Sequence, residues 1–216
     1  MKADLHIHST YSDDSWQTPE DIVAGAVDCG LGCVAITDHN SFEAFFRIKS
    51  DDIIIVPAEE ISSNSGHILA YGINRKIEGH MSIIDTINAI HEAGGVAIAA
   101  HPYRIRTGLG KKNIVSEFDG IEALNARSTK SANLKSKKLA EGFGKIITAG
   151  SDAHRCTSIG KGYLEIPDSC KTWQDVIQAI KDGKTRAFSS NCGFIGGLKY
   201  MTEALLCWFR RGFHSV

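Results

Sequence analysis

The chain places imidazoles and carboxylates where metal ions could use them. Residues 4–14 read Asp-Leu-His-Ile-His-Ser-Thr-Tyr-Ser-Asp-Asp. In an extended strand, side chains two apart share a face, so His6 and His8 point the same way, and Asp13 arrives just past the strand. Apolar runs further along end in similar chemistry: His39 behind Asp38, Glu60 beside Glu59, His101, then Asn125 and Arg127, and finally Asp152 with His154. Imidazole and carboxylate without thiolate select Zn, Mn or Fe over calcium-type sites. The candidates outnumber the ligands of one tetrahedral ion, so two or three divalent ions are implied. A carboxylate such as Glu60 can bridge two of them. Closely spaced ions lower the pKa of a shared water and clamp the oxygens of an in-line displacement, which points to hydrolysis of phosphate esters. Any one of these residues alone reads more simply as a cap or turn residue. Their repetition at the ends of apolar runs is what argues for a site.

The elements that must position them alternate strand with helix. Thr18-Pro19-Glu20 opens a helix carrying Ile22, Val23, Ala26 and Val27, and Gly30 stops it. Runs at 32–37, 53–57, 67–72, 96–100, 119–124 and 145–149 read as buried strands, and the pattern places helices near 41–49, 82–93 and 129–141. A strand at 163–166, a helix at 173–181, a strand at 185–188 and a last amphipathic helix within 194–216 complete the chain. This alternation argues for a mostly parallel sheet and a closed or nearly closed barrel in a single domain. At 216 residues the barrel must be reduced or distorted. In parallel barrels every strand's C-terminal end lies on one face, which brings distant residues to one mouth. His67 opens a strand, so it must reach that mouth by another route.

Composition narrows the classes. Hydrophobic residues make up 43% and charged residues 23%, an ordinary globular balance, and the net charge of −1 leaves any anion binding to local clusters. Lys130, Lys135, Lys137 and Lys138 read as a solvated helix face. Cys29, Cys33, Cys156, Cys170, Cys192 and Cys207 form no C-x-x-C pair and read mostly as small buried hydrophobes, with Cys156 close in sequence to His154. With no charged-then-apolar leader, a reducing cytoplasm is the expected compartment. The last helix contains Lys199 and Glu203 and is too short to span a membrane, so it is expected to cover the barrel. His80, His91 and His214 belong to none of the motifs.

The motifs DLHIHSTYSD, ITDHN, AEEIS followed by GHILAYG, AHP and GSDAH span residues 4–154. In that order they resemble the PHP (polymerase and histidinol phosphatase) family of metal-dependent phosphoesterases. Residues 155–216 match only in general layout. The resemblance implies a distorted (β/α)7 TIM-like barrel with a trinuclear site at its strand ends. It puts His6, His8 and Asp152 on a first ion, Glu60 between that ion and a second, and His67 and His101 on the second. Asp13, His39 and His154 would hold a third. Glu60 is preferred to Glu59 because the family's glutamate directly precedes a small apolar-Ser pair, as Ile61-Ser62 stands here. Asp38 is expected to orient an imidazole or a strand end, and with Asp152 and His154 it makes up the expected catalytic set.

Substrate is expected to meet Arg127, with Arg104, Arg106 and Asn125 beside it, since a guanidinium offers phosphate a bidentate fork. Several nucleotide-hydrolysing relatives carry an inserted segment after the AHP motif, whereas only residues 103–118 stand there in this chain. So open a pocket suits a small phosphomonoester, a nucleoside bisphosphate or the 5′ end of an oligonucleotide, making phosphorylated small molecules, nucleotides and short nucleic acid the candidate partners. Three other readings stand beside this one: a histidinol-phosphatase-like phosphomonoesterase, a non-catalytic metal-binding module, and metal-assisted hydrolysis of a C–N bond.

Overall fold

The computed structural model describes residues 1–190. Its strands are β1 (Lys2–Ile7), β2 (Cys33–Ile36), β3 (Ile54–Val56), β4 (Ala58–Ser63), β5 (Gly66–Tyr71), β6 (Val96–Ala99), β7 (Gly120–Asn125), β8 (Ile146–Gly150), β9 (Gly162–Glu165) and β10 (Arg186–Ser189). The helices are α1 (Pro19–Asp28), α2 (Glu43–Arg47), α3 (Ile83–Glu92), α4 (Lys130–Phe143) and α5 (Trp173–Lys181). Helix starts follow their capping residues. Thr18 and Thr172 form capping boxes with Asp21 and Asp175, and Ser82 and Thr129 accept the amides of Asp85 and Ala132. Without a side-chain cap, α2 is shorter than its sequence pattern suggests.

The strands form two mixed sheets of five, in the orders β10-β9-β1-β2-β3 and β4-β5-β6-β7-β8. This corrects the expectation of one closed, mostly parallel barrel. Pro57 has no amide donor and divides the expected 53–57 strand from the residues after it, so β3 pairs with β2 while β4 pairs with β5. Ser63 and Gly66 are joined by a two-residue turn, and so tight a connection makes β4 and β5 antiparallel. β5 is also antiparallel to β6, whereas β6, β7 and β8 run parallel. A buried apolar run reports burial on both faces but not strand direction, which is why the sequence pattern read as parallel throughout. Between the sheets stand only isolated bridges, Ile7 with Ala153 and His39 with Glu60, among the described residues.

Both faces of the sheets are buried. Leu5, Ala35, Leu69, Ile98, Ala149 and Leu164 share one core with Val176 and Ile180 of α5. On the far side of the second sheet, Ile68, Ala97 and Ile121 pack against Ile87 and Ile90 of α3 and Leu139 of α4. Ile7, Val34 and Ile36 pack against Ile22 and Ala26 of α1. Each such aliphatic side chain contributes about 1.5–3 kcal/mol by leaving water, enough to fix strand ends that carry costly buried polar groups. No helix among the described residues is long and apolar enough to cross a membrane. The expected helix within 194–216 lies outside the described residues.

Candidate metal centre

Strand ends from both sheets meet around the Glu60 carboxylate. Nε2 of His6 and Nε2 of His8 are 3.2 Å apart, and each lies 3.2 Å from Glu60 Oε2. His67 Nδ1 and His101 Nε2 lie 2.8 and 3.0 Å from Glu60 Oε1, and His39 Nδ1 lies 3.3 Å from Oε2. Asp152 Oδ1 is 3.6 Å from His8 Nε2, and Asp14 Oδ2 is 2.9 Å from His154 Nε2. The antiparallel direction of β5 explains His67, because that strand starts at the end where its parallel neighbours finish. The donor atoms fall into overlapping groups: His6, His8 and Glu60; His6, His101 and Asp152; His39, Glu60 and His67; His8, Asp14, His39 and His154.

These groups fit divalent cations. Burial alone would raise the Glu60 pKa, but His67, His6 and His39 outweigh it and hold the carboxyl well below the usual range. Asp152 is treated the same way by Arg104, His6 and Arg127, and Asp14 by His154 and His39. Burial pushes the imidazoles of His8 and His154 down, and takes His101 to about 4 with help from Arg104. His6 goes the other way. Burial lowers it, yet Glu122, Asp152 and Glu60 hold it well above the ordinary imidazole value, because three carboxylates favour positive charge at this spot. Carboxylates held low beside the imidazoles of His8, His101 and His154, which burial disfavours from protonating, are the donor set of a borderline cation. Asp14 Oδ1 and His39 Nδ1 are buried without a hydrogen-bond partner, a loss of about 1–3 kcal/mol each that a coordinated ion would offset.

Comparison with known proteins places the chain among relatives of similar fold. A family model described as PHP-associated matches residues 130–185. An uncharacterized protein of Methanocaldococcus jannaschii is 37% identical over 141 residues, which cover 58% of this chain and 82% of that one. The chain belongs to the PHP family. A 5′-3′ exoribonuclease of Haemophilus influenzae is 26% identical over 83% of this chain, which spans 64% of that protein's length. A two-domain protein of Bacteroides vulgatus, described as containing a predicted PHP-like metal-dependent phosphoesterase, superposes with a TM-score of 0.69 at 16% identity. That match covers 88% of this chain and 64% of the other.

In this PHP chain several expected site residues stand elsewhere than the sequence suggested. Asp13 is exposed, and Asp14 is the aspartate that turns into the cluster. Asp38 lies behind it: its carboxylate accepts hydrogen bonds from the Ser9 amide, the Ser9 hydroxyl and the Ser12 hydroxyl. Ser12 in turn accepts the His39 amide and sits 3.2 Å from His8 Nδ1, so Asp38 positions imidazoles through a serine. Asn125 is buried and its carboxamide is engaged, donating to Glu122 and Asp152 while accepting from Arg104, Arg127 and Ser128. These bonds tie the end of β7 to Glu122, Asp152 and Arg104. Glu59 points to the opposite face, accepts the Ile77 amide, and is pushed up to about 7 by burial. Glu122, absent from the sequence candidates, lies 2.7 Å from His6 Nδ1; a glutamate inside the apolar run 120–124 was the available signal. Cys29 and Cys156 are exposed, and the Cys156 thiol donates to the Asp21 carbonyl rather than joining the cluster.

Asp14, His39, Glu60, His67 and Asp152 of the cluster line a cleft of about 730 Å³. Arg104 and Arg127 both pair with Asp152, and Arg127 Nη1 also stands 2.9 Å from His154 Nε2. Arg106 sits further out on the rim, exposed, with φ +78°. His80 lines the cleft as well, although its sequence position belonged to no motif. His91 pairs with Asp119 instead.

Proposed function

We propose that this PHP protein is a metal-dependent phosphoesterase whose buried cluster holds two or three divalent ions. The observation that carries the reading is the convergence of five histidines on the Glu60 carboxylate, beside two arginines tied to Asp152, at one cleft. His6, His8, Asp152 and Glu60 would hold one ion, and Glu60, His67 and His101 a second. Asp14, His39 and His154 would hold a third, with Asp14 in the place expected of Asp13. Zn, Mn and Fe suit these donors. Such ions, when bound, lower the pKa of a coordinated water and neutralise charge on phosphoryl oxygens.

The chain's own residues bind and orient. Arg127 and Arg104 are both tied to Asp152 at the cleft, which would set two guanidinium charges beside the oxygens of a phosphate ester. Asp38 keeps Ser12 in place behind His8, which fixes that ring against rotation. The cleft is open enough for a nucleotide or the end of an oligonucleotide, and the similarity to an exoribonuclease supports that substrate class. The test is elemental analysis of the purified protein, followed by phosphate release from a panel of mono- and diesters with the matched ions. His8→Ala and Asp152→Ala should lower metal content and turnover together. Wild-type protein that binds these ions yet cleaves no phosphate ester would end the reading.

A further inference from the structure

The residues that would face an ion are held by others, and one carboxylate serves two of the proposed sites. We propose that Glu122 is the shared positioning residue of the first two cation sites, acting through His6 and His101 and touching neither ion nor substrate. The inference rests on the metal reading above.

Its two oxygens divide the task. Oε1 lies 2.7 Å from His6 Nδ1, while Oε2 accepts the His101 amide at 2.9 Å and the Asn125 side-chain amide at 3.1 Å. A carboxylate offers only acceptors, so His6 keeps a proton on Nδ1. That leaves its Nε2 lone pair for a cation between His8 Nε2 and Glu60 Oε2. His101 has φ +26°, a backbone conformation that residues with side chains rarely adopt, and the bond from its amide to Glu122 holds it there. Asn125 extends the reach by donating to Asp152 Oδ2 at 2.9 Å. The third group is fastened separately. His154 Nδ1 lies 3.0 Å from the Asp152 carbonyl, and the His39 amide donates to Ser12.

Glu122→Gln separates positioning from bulk. Two donors, the His101 amide and Asn125, draw the new carboxamide oxygen to their side, which turns its NH2 toward His6 Nδ1. That nitrogen must then accept, and the proton it gives up moves to Nε2, where it blocks the ion. Zinc titration of the purified protein, with bound zinc counted by elemental analysis, should show 10- to 100-fold weaker binding at the ions that use His6 and His101. Binding that depends on Asp14, His39 and His154 should persist. In the zinc-loaded protein, nitrogen-detected NMR should find the His6 Nδ1 proton in wild type and lose it in the variant. If Glu122→Gln does not fold, Glu122→Asp decides, because it keeps the charge but is too short to serve His6 and His101 together. Affinity within threefold of wild type in the folded variant, or an equal loss at every site, overturns the inference. Wild-type protein that takes up no zinc, manganese or iron sinks the metal reading itself, a result readable without any variant.

Discussion

Asp14 Oδ2 stands 2.9 Å from His154 Nε2 and 3.7 Å from His39 Nε2, whereas Asp13, its neighbour, is exposed to solvent. The turn after β1 therefore selects the second aspartate of the pair. Asp14→Asn should remove one equivalent of bound metal and lower turnover at least tenfold. Asp13→Asn should change stability by no more than about 0.5 kcal/mol, as expected of a surface site. Metal analysis of the two variants side by side decides between them, and a loss confined to Asp13→Asn would reverse the assignment.

Arg127 Nη1 lies 3.0 Å from Asp152 Oδ1, inside the cleft. Its positive charge faces the place where a phosphoryl group would gather negative charge. Removing one such donor typically costs about 10²–10³ in rate in other enzymes, and Arg127→Ala should fall in or just below that range with metal content intact. Arg127→Lys should recover only part of the activity, since an ammonium lacks the planar fork. Steady-state kinetics beside elemental analysis test both statements. A variant with unchanged kinetics would remove Arg127 from substrate binding.

Much of the site was legible because buried strands are apolar. A polar residue at the exit of such a run stands out, which marks His39, the Glu59–Glu60 pair, His101, Asp152 and His154; period-two spacing marks His6 and His8, and only the family resemblance prefers Glu60 to Glu59. The rest depends on directions that residue types do not encode. Asp13 and Asp14 are chemically alike, and only the path of the turn separates them. The antiparallel run of β5 looks identical to a parallel strand in sequence, so the two-sheet arrangement was hidden even though His67 already signalled an irregular entry. Asn125 ends β7 and Arg127 follows two residues later, yet only Arg127 of the two lines the cleft, while the Asn125 carboxamide is buried among Glu122, Asp152 and Arg104.

Glu59 gives a pH signature that is separate from the cluster's. Burial raises it from 4.5 to about 7, the Ile77 amide opposing, and Oε1 has no hydrogen-bond partner. The folded protein thus binds a proton that the unfolded chain has already lost between these values. Stability from this group is full below about pH 4.5, falls as pH rises, and is gone above about 7, a difference on the order of 3 kcal/mol. Glu59→Gln, which keeps an acceptor for Ile77, should be more stable than wild type at pH 8 and indistinguishable from it at pH 4.5. Urea unfolding of chelator-treated protein at both values is the measurement. An equal gain at both would show that Glu59 does not titrate in this window.

The contact beneath His6 supplies the sharpest structural test. A Cβ built on Gly150 would crowd the Cβ of His6 and sit 3.1 Å from both the His6 amide nitrogen and Glu122 Oε1. The Cβ and amide nitrogen of His6 are fixed to the backbone of β1 and cannot swing aside as the Glu122 carboxylate could, so Gly150→Ala must push β8 and β1 apart. Overpacking of this kind costs about 1–3 kcal/mol. Because His6 moves with its strand, metal affinity should drop in the same variant. Gly142→Ala is the matched control: its Cβ meets nothing within 4 Å, and it lies in α4, where alanine is favoured over glycine by about 0.8–1 kcal/mol. Thermal unfolding should therefore move in opposite directions for the two variants, and zinc binding should weaken only in Gly150→Ala. If both variants bind zinc like wild type, the close approach of β8 to β1 is not what sets the position of His6.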